Sequence, residues 1–230
     1  MARRTKEEAA ATRDSILDAA EKLFVQQGVS RTTLQHIATE AGVTRGAIYW
    51  HFDDKGALFN AMMERATLPL EAELQLLDQS DSADPLGDLR DYMMAVLRRT
   101  VEDPQARRVF EICTLKVEFV DGDDDMKAVR ERRKDNLSNW MARAERRIRM
   151  AKDKGLITCN GDPATAALAM FAIIDGLIRN WMFDPDHFDL LKMGQSVIDP
   201  YMEGLRRRSN PVVPAEAGTH AEPPNQGASN

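Results

Sequence analysis

Between Ala41 and Thr44 only Gly42 and Val43 are available to end one helical pattern and begin the next. In the first pattern Leu34, Ile37, Ala38 and Ala41 recur at the spacing of one helix face, with Thr32 or Thr33 placed to cap it. The second runs from Thr44 to about Trp50 and gives Ala47 and Ile48 to the same apolar side. Helices joined this tightly need a small residue where they touch and one tolerant of positive φ in the turn. Ala38 and Gly42 meet those needs, while Ile37, Ala41, Val43 and Ile48 supply the apolar contacts. The stretch TTLQHIATEAGVTRGAIYWHF, Thr32 to Phe52, therefore reads as a helix-turn-helix.

The same periodicity extends in both directions. An earlier helix carries Ile16, Ala19, Ala20, Leu23 and Phe24 and stops at Gly28, and a fourth starts at the cap Asp53 or Asp54 and runs towards Leu77. Farther on, Asp84 with Pro85, Asp103 with Pro104 and Asp162 with Pro163 each place a capping acid before a proline at the first helical position, where its missing N–H costs nothing. Helices are predicted over Leu86–Glu102, Pro104–Phe119, Asp124–Lys154, Pro163–Phe183 and Asp189–Arg208. No alternating strand pattern competes, and the fold class is all-α. The predicted division is a DNA-binding unit at 1–55, a larger helical domain at 56–208 and a tail at 209–230. That tail is rich in Pro, Gly, Ala and Asn, with too few large apolar side chains to offset the entropy of ordering it.

A net charge of −6 means that any surface for a polyanion must be made by local placement. Residues 1–60 hold eight Lys or Arg and eight Asp or Glu, so this unit is neutral while the remainder is acidic. Two cysteines, Cys113 and Cys159, have no metal or redox spacing and fit a reducing compartment. The longest apolar run, Ala164–Ile174, is about half of the ~20 residues that a bilayer-spanning helix needs, so no membrane partner is expected. The N-terminal residues lack an apolar leader, and a cytoplasmic location is expected. Four His, with no phosphate loop, nucleophile elbow or metal spacing, argue against an enzyme, and no cofactor or metal is expected.

If the second helix of the motif lies in the major groove, the residues left over from packing face DNA. Arg45 is the expected base reader, because its guanidinium can take guanine O6 and N7 together, and Gly46 beside it permits close approach. Thr44, Tyr49, Trp50 and His51 can hydrogen-bond or pack against the sugar-phosphate backbone, and Thr33 and Lys55 sit at helix starts suited to phosphate oxygens. The cluster of Arg3, Arg4 and Lys6 fits a DNA-contacting arm and a solvated tail equally well. Tyr49, Trp50 and Phe52 can also be read as core aromatics. Phe52 is expected in the core, whereas Tyr49 and Trp50 cannot both be buried on so short a helix.

The motif RTTLQHIATEAGVTRGAIYWHFDDKGALF, Arg31 to Phe59, resembles the TetR family of bacterial regulators. The likeness extends to ARRTKEEAAATRDSILDAAEKLF at the start and, more loosely, to DPLGDLR from Asp84 and FAIIDGLIRNW from Phe171, as in the subgroup that represses multidrug efflux pumps. It implies about nine helices in all, a homodimer built on the last two, and a cavity whose occupation by a small hydrophobic or aromatic effector releases double-stranded operator DNA. Gly56 departs from the pattern, standing where the family has a better helix former.

A cavity needs apolar walls with a few polar groups to orient a ligand. Tyr92, Met93 and Val96 on the fifth helix and Phe110, Cys113 and Thr114 on the sixth offer one such face. Leu137, Trp140, Met141 and Ala144 on the seventh and Phe171, Ile174, Asp175 and Ile178 on the eighth offer another. Such stripes also suit ordinary core. Asp175 needs a partner in these surroundings, either Arg179 one turn on or a polar group of a ligand. The resemblance places Phe171 and Asp175 in the cavity-lining helix. Trp181, Phe183, Leu190, Val197 and Ile198 show more apolar surface than one monomer requires, which suits a dimer and a palindromic operator. A ligand-independent DNA-binding protein of this fold, acting in chromosome organisation or cell division, is the alternative.

Overall fold

Gly42 adopts φ +68°, and its backbone N–H closes the preceding helix on Thr39 O. That left-handed residue, which costs glycine no steric strain, turns α2 (Leu34–Ala41) into α3 (Arg45–His51). Both pack on α1 (Ala2–Gln27), which ends at Gly28 with φ +81°. The computed structural model describes residues 2–79, 81–118, 126–157 and 161–206, without the side chains of 2–5 and 76–79. The remaining helices are α4 (Lys55–Gln79), α5 (Pro85–Glu102), α6 (Pro104–Glu111), α7 (Lys127–Asp153), α8 (Pro163–Phe183) and α9 (Leu190–Arg206). No strand occurs among the described residues. The side chains of Arg3 and Arg4 and the tail at 209–230 lie outside them.

The three Asp-Pro pairs start helices as their chemistry requires. Asp84 Oδ1 accepts from Gly87 N at 3.0 Å, Asp103 Oδ1 from Gln105 N at 2.9 Å and Ala106 N at 3.1 Å, and Asp162 Oδ2 from Thr165 N at 3.2 Å. These bonds satisfy amides that no helical carbonyl reaches. They also hold the Asp162 carboxyl below the usual range, the Thr165 amide being the main cause. Gly56 is the second residue of α4, behind the cap Asp54, whose Oδ1 accepts from Ala57 N at 2.6 Å; so near a helix start its low propensity costs little. One predicted helix is altered. From Ile112 to Lys116 the end of α6 widens into a π turn, a local form that sequence periodicity does not signal.

Two cores result. Ile16, Leu17, Phe24, Ile37, Ile48 and Phe52 join Leu58, Phe59 and Met62 of α4 in the first, which also takes Val109 and Ile112 from the end of α6. The second lies between α5, α7, α8 and α9, around Leu89, Leu97, Ile148, Met170 and Ile198. Arg90 ties α5 to α9 through Asp199 (2.6 Å), and Gly194 of α9 lies so close to α5 that a Cβ there would stand 2.3 Å from Leu97 Cδ1.

The last two helices correct one expectation. Trp181, Leu190 and Ile198 belong to the monomer's own core, and the apolar side chains left exposed are Leu168, Phe183, Met193 and Val197. Taken as a whole, the 21-residue α8 is also apolar enough by length and composition to cross a membrane, although its longest uninterrupted apolar run is only half that length. In this fold it packs on α7 and α9 and carries the pair Asp175–Arg179.

Gly194→Ala should overfill the α5–α9 crossing, because its methyl would stand 2.3 Å from Leu97 Cδ1 and force the fully buried Leu97 side chain to shift. The expected loss is about 1–3 kcal/mol, or roughly 2–10 °C in melting temperature. An unchanged melting curve would show that α5 and α9 are not packed this closely.

Candidate nucleic-acid interface and ligand cavity

Thr33 and Thr44 build the two helix starts of the motif. Thr33 Oγ1 accepts from His36 N at 3.2 Å while His36 Nδ1 accepts from Thr33 N, and Thr44 Oγ1 accepts from Ala47 N at 3.1 Å. Each hydroxyl thus serves as a cap and keeps its own hydrogen to donate outward. Ile48 is buried on one side of α3, and the i, i+4 pairs Arg45–Tyr49 and Gly46–Trp50 occupy the exposed side. Both Tyr49 and Trp50 are open to solvent, Trp50 at 74 %, whereas Phe52 is in the core. Arg45 Nη2 donates to Tyr49 Oη at 2.9 Å with its guanidinium 5.4 Å from the ring centre, so Tyr49 orients the arginine. A Cβ at Gly46 would meet only Thr44 Oγ1, at 3.8 Å. Nothing among the described residues therefore demands glycine at this position, the second of α3.

The flanking residues are more constrained than their spacing suggests. Lys55 Nζ donates to Val29 O at 3.4 Å, which draws the ammonium towards the turn after α1. His51 stacks edge-on against Trp50, and burial, with Arg13 nearby, lowers its pKa so that the ring is neutral at pH 7. Arg13 also lies over the Phe52 ring, at 5.2 Å. Lys6 is exposed on the N-terminal part of α1.

The larger domain holds a half-open cavity of about 490 Å³, within the range of small-molecule sites. Tyr92, Met93 and Val96 of α5 line it with Phe110, Cys113 and Thr114 at the end of α6. Leu137 and Trp140 of α7 face Phe171, Ile174, Asp175 and Ile178 of α8, and the Trp140 and Phe171 rings meet at 5.9 Å. Met141 and Ala144 do not line it. Ala144 lies one turn beyond Trp140, where α7 closes on the second core, and Met141 packs there as well. Asp175 is on the wall and also pairs with Arg179, at 3.6 Å, so the two roles foreseen for it are not exclusive.

Sequence reasoning missed the α4 wall, formed by Phe59, Met63, Thr67, Leu70, Glu71 and Leu74. The available signal was that α4 carries apolar residues around more than one face, too many for a single core. It also missed the polar side of α7, where Arg132, Arg133, Asn136, Asn139 and Arg143 reach the cavity. Burial, reinforced by Glu73 and Glu71, raises the Tyr92 phenol to about 12, and burial likewise raises the Cys113 thiol to about 12. Both are neutral hydrogen-bonding groups at physiological pH. No cluster of metal-ligating side chains occurs among the described residues.

Residues 16–62 match the family profile "Bacterial regulatory proteins, tetR family", and residues 84–207 match "MAATS-type transcriptional repressor, C-terminal region". The chain is 40% identical over 206 residues to the HTH-type transcriptional regulator TtgR of Pseudomonas putida, covering 90% of this chain and 97% of TtgR. Among solved structures it is similar to NalD, the secondary repressor of the MexAB-OprM multidrug efflux pump in Pseudomonas aeruginosa (TM-score 0.79, 33% identity, 87% of this chain and 98% of NalD). It is also similar to SmeT in a complex with triclosan (TM-score 0.76, 33% identity, 94% of this chain and all of SmeT).

With Cys159→Ser removing the other thiol, Cys113 should react with Ellman's reagent at pH 8 far more slowly than a free thiol, because its partly buried place on the cavity wall raises the pKa and disfavours the thiolate that reacts. Labelling should reach the rate of a free thiol only on denaturation. Rapid labelling of the native protein would show that the cavity wall is open to solvent at this point.

Proposed function

This chain belongs to the TetR family of bacterial regulatory proteins, and we propose that it is a ligand-responsive repressor of a multidrug efflux operon. In this reading a homodimer holds a palindromic operator and leaves it when a hydrophobic or aromatic molecule fills the cavity. The observation that carries it is the double role of α4. Phe59 is packed in the core of the helix-turn-helix unit and also lines the cavity, so a cavity occupant touches the same helix that supports the DNA-binding surface. The efflux connection rests on likeness to NalD, and the aromatic effector on the Trp140–Phe171 wall together with likeness to the SmeT–triclosan complex. A cytoplasmic location follows from binding chromosomal DNA.

The residues take the following roles. Arg45 reads a guanine edge, held in register by Tyr49, while Gly46 lets α3 approach the groove floor. Thr33, Thr44, Trp50, His51 and Lys55 contact the backbone, with Arg3 and Arg4 at the start of α1 on the same DNA. The unit at 1–55 binds DNA and 56–208 binds effector and partner. Exposed Leu168, Phe183, Met193 and Val197 supply the apolar face for the second copy, which sets the recognition helices about 34–36 Å apart.

Arg45→Ala should weaken operator binding by about 1–3 kcal/mol and relax preference at one position per half-site. Lys55→Ala should weaken all duplexes alike and flatten the salt dependence. Binding-site selection on both variants at several salt concentrations tests this; equal losses without altered preference would restrict Arg45 to phosphate contact. Operator binding indifferent to saturating triclosan and to every other hydrophobic compound tried would leave only the ligand-independent function.

A further inference from the structure

Glu21 of α1 is 2 % exposed, and neither the DNA-facing surface nor the cavity wall uses it. A carboxylate in such a place is costly unless paired. Its partners come from two other helices. Arg65 of α4 donates through Nη2 to Oε1, and the same Nη2 lies 2.7 Å from Asp18 Oδ1. From α6, Gln105 Nε2 donates to Oε1 at 3.2 Å, and Arg108 Nη2 lies 3.5 Å from Oε2. Two acids on α1 therefore meet one guanidinium from each neighbouring helix.

On α4 the cluster's Arg65 stands between cavity-lining residues on either side, Met63 and Thr67, and on α6 the cluster precedes the first of them. Ala66 is the last α4 residue in the first core, and Thr67, Leu70 and Leu74 beyond it face the cavity. Pro69 has no N–H for the Arg65 carbonyl, which makes this turn the easiest place for α4 to bend. Along α6, Gln105 and Arg108 are followed by Phe110, Cys113 and Thr114 on the cavity wall. At the far end of the π turn Lys116 O accepts from Val29 N at 3.2 Å, a second link to the turn after α1. Helices α2 and α3 pack on α1, so a change in its tilt would carry them with it.

We propose that Glu21 is a positioning residue for operator binding: its carboxylate holds α1, and with it the helix-turn-helix, at the tilt to α4 and α6 that both half-sites require. This rests on the DNA-binding reading above. Without the cluster the tilt spreads over a wider range, and only a fraction of dimers presents its recognition helices at the half-site spacing. Apparent affinity falls by that fraction.

The test uses the full-length dimer and the palindrome that the wild-type protein selects from random duplexes. Operator affinity at fixed salt is measured for Glu21→Gln, for Gln105→Ala with Arg108→Ala, and for all three changes together, with melting temperatures alongside. The first two should each bind about 5–10-fold more weakly, with base preference unchanged. The triple variant should stay within about twofold of Glu21→Gln, because both routes remove the same contact. Arg108→Lys with Gln105 intact, which keeps a cation at that position, should bind close to wild type. Affinities within twofold of wild type at a temperature well below melting, or losses that multiply in the triple variant, would overturn the proposal. Should Glu21→Gln fail to fold, the changes on the more exposed α6 side decide it alone. Failure of the wild-type chain to select any palindrome is a separate result and would remove the DNA-binding reading itself.

Discussion

The packing of the first half of α4 against α1 is the constraint on which the rest of the structure depends. Phe59 meets Phe24 with ring centres 5.9 Å apart, and Leu58, Ala61 and Met62 complete the same core. A short three-helix unit has little apolar surface of its own, and small cores are marginal. By lending it two turns of a longer helix, the fold stabilises the unit and attaches it to the larger domain in one step. The same helix then continues into the cavity wall, so the DNA-facing unit cannot be repositioned without work being done on the cavity, nor the reverse.

Charge follows the same division of labour. With a net charge of −6 the chain has no general attraction for DNA, and the surface around α3 depends on a few exposed groups rather than on a basic field. Arg45, the proposed base reader, is steadied by Tyr49 instead of by an acid, which leaves its full charge available. Acids and bases elsewhere are mostly engaged with one another across helix contacts, as in Arg90–Asp199, Arg132–Glu64 and Arg147–Asp88. Such pairs set how helices cross more than how stable they are.

What could be read from the chain was local. Helix starts at Asp84, Asp103 and Asp162, the turn at Gly42 and the buried face around Ile37 and Ile48 all follow from short-range rules, and each is found where those rules put it. Twelve of the fourteen residues expected on the cavity wall are there, because apolar helix faces must point inward. The failures are long-range. Nothing in the periodicity of α4 says which of its apolar faces meets α1 and which is left to a cavity. Glu21 reads as one more surface acid of an amphipathic helix until Arg65, Gln105 and Arg108 are brought to it from 44, 84 and 87 residues away along the chain. Ala144 shares the helical phase of Leu137 and Trp140, but it packs into the second core while Arg143 beside it reaches the cavity, a division that periodicity does not signal.

The cavity's two-sidedness bears on how little a ligand would have to do. Phe171, Ile174 and Ile178 of α8 with Met93 make an apolar stretch of wall that only Asp175 interrupts; α7, beside Leu137 and Trp140, adds a polar stretch rich in Arg and Asn. A ligand shifts an equilibrium only by the difference in its affinity for the two states. A hundredfold loss of operator affinity corresponds to about 2.7 kcal/mol, which is matched by roughly 100 Å² more apolar surface buried in one state than in the other. A displacement of α4 or of the π turn at Ile112–Lys116 that let an aromatic ring settle fully against Trp140 and Phe171 would reach that difference. Chemical identity matters less in such a site than bulk and flatness. In the proposed switch, a helix shared between the first core and the cavity would therefore be sufficient, with no dedicated moving part.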